Sequence, residues 1–194
     1  MMSQRCHIVT SVGFFKFYFN IIIIIPLYKS LIQKRYNLSY LLKYHKKRNI
    51  MECEMPQINS NKEEIKAILE DTKTIAIIGC SPNPEKASNK VAVYLKEHGF
   101  NIIPVYPKEE EILGEKVYKS LSDIPNDIKI DMVDIFRKPE VIASVVDEAL
   151  KRDDIKYIWT QLGLVNNDAA KKAEASGFKV VQNHCTKIEH SELF

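Results

Sequence analysis

From residue 60 onward, short apolar runs alternate with segments in which apolar residues recur at helical spacing. The apolar runs predict five strands, at residues 74–78, 100–106, 131–136, 156–161 and 178–182. The helical spacing predicts four helices, at residues 62–70, between a Ser88 cap and Gly99, from Pro139 to about Arg152, and from a cap at residues 166–168 through Ala175.

This alternation of strands and helices predicts the fold class. Parallel neighbouring strands need long crossover connections, which are usually helical and right-handed. We therefore predict a single α/β domain of the Rossmann-like, doubly wound type, with a five-stranded parallel sheet, over residues 59–194. Residues 1–58 are predicted to be an extension outside this domain. In such a sheet, ligands bind at the carboxyl ends of the strands.

Charge separates the two parts of the chain. Of the 28 Lys and Arg residues, nine lie in residues 1–50, which contain no Asp or Glu. The remaining 19 stand against all 25 acidic residues, a net charge of −6 for the rest of the chain. An acidic domain argues against general nucleic-acid binding.

The extension has two open interpretations. Residues 14–32 are rich in apolar residues, but Lys16, Asn20, Pro26 and Lys29 leave no clean membrane-spanning stretch. The favoured interpretation is translated upstream sequence, with Met51 as the start of the protein. The alternative is a membrane anchor with a basic flank, which would make the protein membrane-anchored instead of cytoplasmic.

The four cysteines are scattered and have no metal-binding spacing, which favours a reducing compartment and a cytoplasmic location. Cys80 lies just before a predicted helix, where a helix N-terminus is expected to lower the pKa of a thiol. Trp159 is predicted to lie in the core. Four histidines are interpreted as isolated surface residues: His7, His45, His98 and His190.

The segment after the first predicted strand is the strongest candidate for a binding loop. Gly79, Cys80 and Ser81 lead through a polar loop containing Lys86 to the predicted helix at Ser88. A strand–loop–helix junction directs backbone N–H groups and the positive end of a helix dipole at one point, which suits an anion. The loop lacks the later glycines of the dinucleotide fingerprint, so it does not imply NAD.

Further cations follow the other strands. Lys108 comes after the second strand, and Arg137 and Lys138 come after the third. Because these loops and the Lys86 loop share one edge of the predicted sheet, the cations are expected to converge there. Such an arrangement suits a ligand with two or three phosphate groups.

Several segments resemble a known family, the stand-alone CoA-binding domain proteins, which are related to the CoA-binding module of the succinyl-CoA synthetase alpha subunit. The resemblance rests on Gly79-x-Ser81-x-x-Pro84-x-Lys86-x-Ser88 and on residues 103–107, 114–118, 131–137, 159–163 and 185–189. It covers nearly all of residues 60–194. It implies that the domain binds coenzyme A or an acyl-CoA.

The resemblance also implies roles for individual residues. Gly79 would allow close backbone approach, Ser81, Lys86 and Ser88 would contact phosphates, and Lys108 is the candidate for a phosphate on the ribose. The full set of implied ligand contacts is Gly79, Cys80, Ser81, Lys86, Ser88, Tyr106, Pro107, Lys108, Phe136, Arg137, Gln161 and Cys185. Tyr106 departs from the family, which usually has asparagine at that position. Many family members also carry an arginine near the position of Lys86.

Binding without catalysis is the favoured function, because the chain lacks the phosphohistidine domain and the nucleotide-grasping subunit of succinyl-CoA synthetase. Two alternatives remain open. One is an enzyme of acyl-CoA or thiol chemistry that uses Cys185 or Cys80. The other is a module for another nucleotide such as NAD, with residues 109–111 as ribose-binding carboxylates. A membrane-tethered scaffold would depend on the extension alone.

Overall fold

The computed structural model describes residues 55–194, and their centre is a five-stranded parallel sheet in the order β2-β1-β5-β6-β7. Its strands are β1 (Thr74–Ile78), β2 (Asn101–Val105), β5 (Met132–Ile135), β6 (Tyr157–Thr160) and β7 (Lys179–Val181). The predicted fold class is confirmed. Four of the strands are one residue shorter at each end than predicted, because pairing ends before the apolar run does.

Two short elements follow β2. Strands β3 (Glu111–Ile112) and β4 (Glu115–Lys116) form an antiparallel pair, and a 3₁₀ turn follows at Leu121–Asp123. Tyr118 lies beside the end of β2, where its amide donates to the carbonyl of Pro104. The segment from β4 to the 3₁₀ turn is thereby held beside the carboxyl end of the sheet.

In the described part of the chain, five helices cover the sheet: α1 (Lys62–Asp71), α2 (Ala87–Glu97), α3 (Pro139–Ala149), α4 (Asn167–Ala175) and α5 (Thr186–Leu193). Helix α5 was not predicted. Its only buried residue is Thr186, and its Ile188 is exposed, so its sequence lacks the apolar stripe that reveals an amphipathic helix.

Each face of the sheet has its own apolar core. Ala76 and Ile78 on β1 pack with residues of α3 and α4 on one face. Ile75 and Ile77 point to the opposite face and pack with residues of α1 and α2. Because successive side chains of a strand alternate between faces, a continuous apolar run is what a strand covered on both sides requires.

Helix α3 ends three residues earlier than predicted, at Ala149. Beyond it, the Arg152 guanidinium donates to the carbonyls of Ile124 and Ile128 and to the carboxylate of Asp154. Burial raises the pKa of Asp154, but the hydrogen bonds from Arg152 and from the Ile130 amide outweigh it and leave this pKa lowered. Arg152 therefore works as a buried crosslink between the loops at the amino-terminal edge of the sheet.

Residues 55–58 precede the predicted domain boundary and contact the domain. The Asn167 side chain accepts from the Gln57 amide and donates to the Met55 carbonyl, and Ile58 packs against the core. The boundary at residue 59 stays a prediction. Across residues 55–194, no helix is long and apolar enough to cross a membrane. The alternative of an anchor at residues 14–32 falls outside the described residues.

The interpretation of His98 and His190 as isolated residues is wrong, although His98 is exposed as predicted and His190 is half-buried. The His98 ring stacks on Tyr94 with centroids 3.9 Å apart, and His190 lies edge-on to Phe100 at 5.3 Å. The Tyr94 hydroxyl and His190 Nδ1 are 3.1 Å apart. These rings join α5 to α2, a contact hidden from sequence analysis because α5 itself was not predicted. His7 and His45 fall outside the described residues.

Candidate functional site

Strand order reverses between β1 and β5, and the residues that follow these two strands lie against each other. Gly79 has a φ of +87°, and its amide donates to the carbonyl of Val105 on β2. A β-carbon built on Gly79 would lie 2.8 Å from Cδ of Arg137 and 3.1 Å from the carbonyl oxygen of Phe136. The absence of a side chain at Gly79 thus lets the Arg137 side chain run across the switch point of the sheet, where ligands of this fold class bind.

A cleft of about 150 Å³ lies at the same place. One wall consists of Tyr106, Pro107, Lys119 and Ser120, and the other carries Arg137 and residues of α3. The apolar lining residues are Ile78, Val105, Leu121, Val141 and Val145. The cleft therefore combines an apolar lining with a cation on each wall, which suits a ligand with both a flat apolar ring and negative charge.

The loop from Gly79 to α2 is closed by its own hydrogen bonds. The Ser81 amide donates to Ser88 Oγ, and the Asn89 side chain donates to the Ser81 carbonyl. The prediction that Ser88 caps α2 is wrong: Lys86 is the N-cap residue and makes no side-chain cap, while Ser88 lies buried within the helix. Ser88 fixes the shape of the loop because its hydroxyl accepts the amide of Ser81.

Four cations predicted to converge are all exposed at the carboxyl edge of the sheet: Lys86, Lys108, Arg137 and Lys138. Within residues 55–194, none of them takes part in an ion pair, whereas Arg152 and six other lysines do. Only Arg137 lines the cleft itself. Lys86 and Lys138 occupy the N-cap positions of α2 and α3, where the helix dipoles add to their positive potential.

The thiol of Cys80 lies in the core, and its side chain is fully buried. Burial, with a further contribution from the nearby Asp134, raises the pKa of Cys80 to about 12. The expectation of a thiol pKa lowered by the helix N-terminus is therefore wrong, since desolvation outweighs the helix dipole. Burial also raises the pKa of Cys185, which is half-buried and precedes α5.

A buried carboxyl lies beneath this edge. Asp134 of β5 is fully buried, and it accepts hydrogen bonds from Gln161 Nε2 at 2.8 and 2.9 Å and from Thr186 Oγ1 at 3.0 Å. Burial raises the pKa of Asp134 to about 7, although hydrogen bonds from Gln161 and Thr186 act in the opposite direction. Gln161 is thus part of a core network that ties α5 to the sheet, and its contact with a ligand stays a prediction.

The loop after β7 holds His184 and Cys185. His184 Nδ1 lies 2.7 Å from Glu189 Oε1, and the His184 carbonyl accepts from Trp159 Nε1. Trp159 is fully buried, as predicted. The imidazole of His184 is therefore paired with a carboxylate of α5. Among the described residues, no group of three or more His, Cys, Asp or Glu side chains is arranged to hold a metal ion.

Four polar residues of the cleft were not predicted from the sequence: Lys119, Ser120, Ser144 and Glu148. Lys119 follows a short segment that lies beside β2 only after the chain has passed through β3 and β4, so its position in the sequence does not show its proximity to Pro107. Glu148 accepts from the amide and hydroxyl of Ser122, which fixes the 3₁₀ turn against α3. For Ser144 and Glu148, the available signal was their helical spacing from Val141, which places all three residues on one side of α3.

The strand order and the helices define a Rossmann-like domain with a cleft at its switch point that carries a cation on each wall. Residues 73–191 match the model of a family described as the CoA binding domain. This match spans more than half of the chain, and the chain belongs to that family.

Relatives of two kinds are similar to this chain. The uncharacterized protein YneT of Bacillus subtilis is 38% identical over 133 residues, which are 69% of this chain and 96% of that protein. The alpha subunit of an ADP-forming acetate–CoA ligase II of Pyrococcus furiosus is 38% identical over 65 residues, which are 33% of this chain and only 14% of the ligase subunit.

Solved structures agree with the fold. A hypothetical protein from Pyrococcus horikoshii has a TM-score of 0.67 and 42% identity, and the match covers 72% of this chain and 96% of that protein. A protein from Thermus thermophilus has a TM-score of 0.65 and 31% identity, with coverage of 70% and 100%. Because the matches cover almost all of both solved chains, those chains adopt the same fold as residues 55–194.

Proposed function

We propose that this protein binds coenzyme A or an acyl-CoA at the carboxyl ends of the parallel strands, without catalysis of its own. The observation that carries the proposal is the Gly79–Arg137 contact at the switch point, beside a cleft with an apolar lining. Membership of the CoA-binding domain family supports coenzyme A as the ligand.

The cleft suits the adenosine part of the ligand. Ile78, Val105 and Leu121 offer an apolar surface to the adenine ring, and Pro107 lies on the wall beside it. Arg137 lies between this cleft and the Gly79 loop, which is where the diphosphate would leave the adenosine. An arginine in that position can donate two hydrogen bonds to one phosphate group.

Tyr106 replaces the usual asparagine of the family turn, and its surroundings suit this replacement. Its amide donates to the carbonyl of Tyr118 at 2.9 Å, so the turn keeps its backbone anchor without a side-chain amide. The half-buried Tyr106 side chain packs against the core formed with α1 and α2, and residue 106 also lines the cleft. We infer that the turn meets the ligand without the asparagine hydrogen bonds and depends on the backbone anchor at Tyr118 for its shape.

The environments of the thiols favour binding over catalysis. A nucleophilic cysteine works as a thiolate, and burial raises the pKa of both Cys80 and Cys185. His184, the imidazole nearest to Cys185 in the sequence, is paired with Glu189. Apart from the thiols, the cleft offers the ligand an apolar surface and nearby cations, which is what a carrier or a CoA-responsive regulator needs.

Isothermal titration of the full chain with CoA, acetyl-CoA and NAD tests the proposal. We expect CoA and acetyl-CoA to bind and NAD to bind far more weakly. The combined substitution Lys86→Ala, Lys108→Ala and Arg137→Ala should lower CoA affinity by at least about a hundredfold, because charge-assisted hydrogen bonds contribute about 1.5–3 kcal/mol each. Absence of CoA binding in the folded wild-type protein would contradict the proposal.

A matched control separates a local contact from a change in net charge. Lys73, Lys129 and Lys151 are exposed lysines at the amino-terminal edge of the sheet, away from the cleft. Changing all three to alanine removes the same three charges, and we expect CoA affinity to stay within about threefold of wild type, since exposed charges more than a Debye length apart are screened. An equal loss in both triple variants would indicate only a general electrostatic attraction.

A further inference from the structure

The two walls of the cleft each carry one cation. Lys119 lies on the wall built by the segment beside β2, and Arg137 lies on the wall that follows β5. Both side chains are exposed, and within residues 55–194 neither forms an ion pair. A ligand lying in the cleft therefore meets positive charge on two sides.

The two serines and the glutamate of the cleft are already engaged. Ser120 Oγ donates to Asp123 at 2.7 Å, and Ser144 Oγ donates to the carbonyl of Val141 at 2.8 Å. Glu148 carries negative charge and accepts from Ser122. Lys119 and Arg137 are the cationic side chains of this cleft, and both have hydrogen-bond donors to spare for phosphate oxygens.

We propose that Lys119 binds the 3′-phosphate of the CoA ribose and sets the preference of the protein for CoA over 3′-dephospho-CoA. This inference rests on the proposed function. CoA carries two separate phosphate sites on one ribose, a diphosphate on the 5′ side and a phosphate on the 3′ side. With the adenine in the apolar lining and the diphosphate at Arg137 and Gly79, the second phosphate faces the opposite wall, where Lys119 lies.

This assignment replaces Lys108 as the residue for the ribose phosphate. Lys108 follows Pro107 directly in the sequence, but Pro107 lines the cleft and Lys108 does not. Lys119 reaches the cleft because the amide of Tyr106 donates to the carbonyl of Tyr118, which places residue 119 beside the Tyr106–Pro107 turn. A contact of two segments that are 12 residues apart therefore creates the second phosphate position.

The test is a titration of the full chain with CoA and with 3′-dephospho-CoA, using wild type, Lys119→Ala, Lys108→Ala and Lys151→Ala. Loss of one charge-assisted contact should lower the affinity of Lys119→Ala for CoA by about tenfold and leave its affinity for 3′-dephospho-CoA unchanged. Lys108→Ala and the distant control Lys151→Ala should keep the wild-type ratio of the two affinities.

Four outcomes overturn the inference. Wild-type affinity of Lys119→Ala for CoA would show that Lys119 does not contact the 3′-phosphate, and an equal loss of affinity for both ligands would show only a general charge effect. A ratio that falls in Lys108→Ala instead would return the role to Lys108. Failure of wild type to bind either ligand would defeat the proposed function, and this inference with it, whereas the first three outcomes leave CoA binding standing. Because Lys119 is exposed, its substitution should not unfold the protein.

Discussion

Gly79 and Arg137 follow neighbouring parallel strands, and the side chain of Arg137 crowds the space beside Gly79. A β-carbon built on Gly79 would lie only 2.8 Å from Cδ of Arg137. The glycine thus has two functions. It adopts a φ of +87° that turns the chain away from β1, and it leaves room for the arginine to cross the switch point. Loop shape and the position of a binding cation depend on the same missing side chain.

Gly79→Ala should therefore reduce both stability and CoA affinity. An L residue at this φ costs about 1–3 kcal/mol, and the added methyl group must also displace Arg137 or the backbone carbonyl of Phe136. Gly177→Ala is the matched control, because Gly177 has a φ of +95° with nothing within 4 Å of the built β-carbon. It should lose stability through backbone strain alone and keep its affinity for CoA.

Urea unfolding and calorimetric titration of both variants measure these effects. If Gly79→Ala keeps wild-type affinity while Gly177→Ala loses the same amount of stability, the close contact with Arg137 has no part in binding. A loss of affinity confined to Gly79→Ala would connect the contact to the site.

The sequence revealed the strands and the switch-point loops because their signal is local. A run such as Thr74–Ile78 followed by glycine can be recognised without knowing what it packs against. Helix α5 and Lys119 gave no such signal. The positions of both depend on contacts between distant segments, Thr186 with Asp134 in one case and Tyr118 with Tyr106 in the other. The same is true of the pKa of Cys80, which burial raises even though its place in the sequence suggested a lowered value.

Arg152 should matter for stability and not for binding. Its guanidinium and the Asp154 carboxylate are both nearly buried. Arg152→Met would remove the charged partner of that carboxylate, which keeps the Ile130 amide as a donor, and would leave two loop carbonyls without the guanidinium. Breaking a buried ion pair from one side typically costs about 3–5 kcal/mol. Chemical denaturation should show a loss in this range, whereas the exposed neighbour Lys151→Met should change stability by less than about 0.5 kcal/mol.

Since the Arg152 contacts lie at the amino-terminal edge of the sheet, folded Arg152→Met protein should bind CoA as wild type does. A stability loss below about 1 kcal/mol would mean that water replaces the guanidinium at little cost. A large loss of CoA affinity in the folded variant would instead mean that the two edges of the sheet are coupled.

The two described cysteines should differ in reactivity. With its pKa raised to about 12, the buried Cys80 thiol is ionised in only about one molecule in ten thousand at pH 8. Brief treatment of the native full chain with iodoacetamide, followed by peptide mass mapping, should find Cys185 modified well before Cys80. In denaturant the two should react alike, and equally fast labelling of both in the native protein would contradict the buried position of Cys80.

Asp134 predicts how stability depends on pH. Its pKa is raised to about 7 in the folded protein by burial, so the folded state retains a proton that the unfolded chain releases near pH 4. A state that binds more protons is favoured at low pH. The Asp134 contribution to stability is therefore fully present below about pH 4, declines as the pH rises toward 7, and is constant above that.

Other groups act in the opposite direction, so the comparison must be made between variants. Burial lowers the pKa of His190, so this group makes the folded state more stable as the pH rises through its titration. The lowered pKa of Asp154 also makes stability rise with pH, but only below about pH 4. Asp134→Asn removes the titrating carboxyl and retains an oxygen that can accept from Gln161 or Thr186. Asp147→Asn is the control, since Asp147 is an exposed partner of Lys172.

Urea unfolding from pH 4 to pH 8 measures the free energy of unfolding for wild type and the two variants. As the pH rises, the free energy of unfolding of wild type should fall relative to that of Asp134→Asn. The reason is that only wild type has a buried carboxyl that loses its proton in this range. The curve of Asp147→Asn should run parallel to wild type across the same range. Parallel curves for Asp134→Asn as well would mean that the carboxylate stays ionised in the core, held by the donors Gln161 and Thr186 despite its burial.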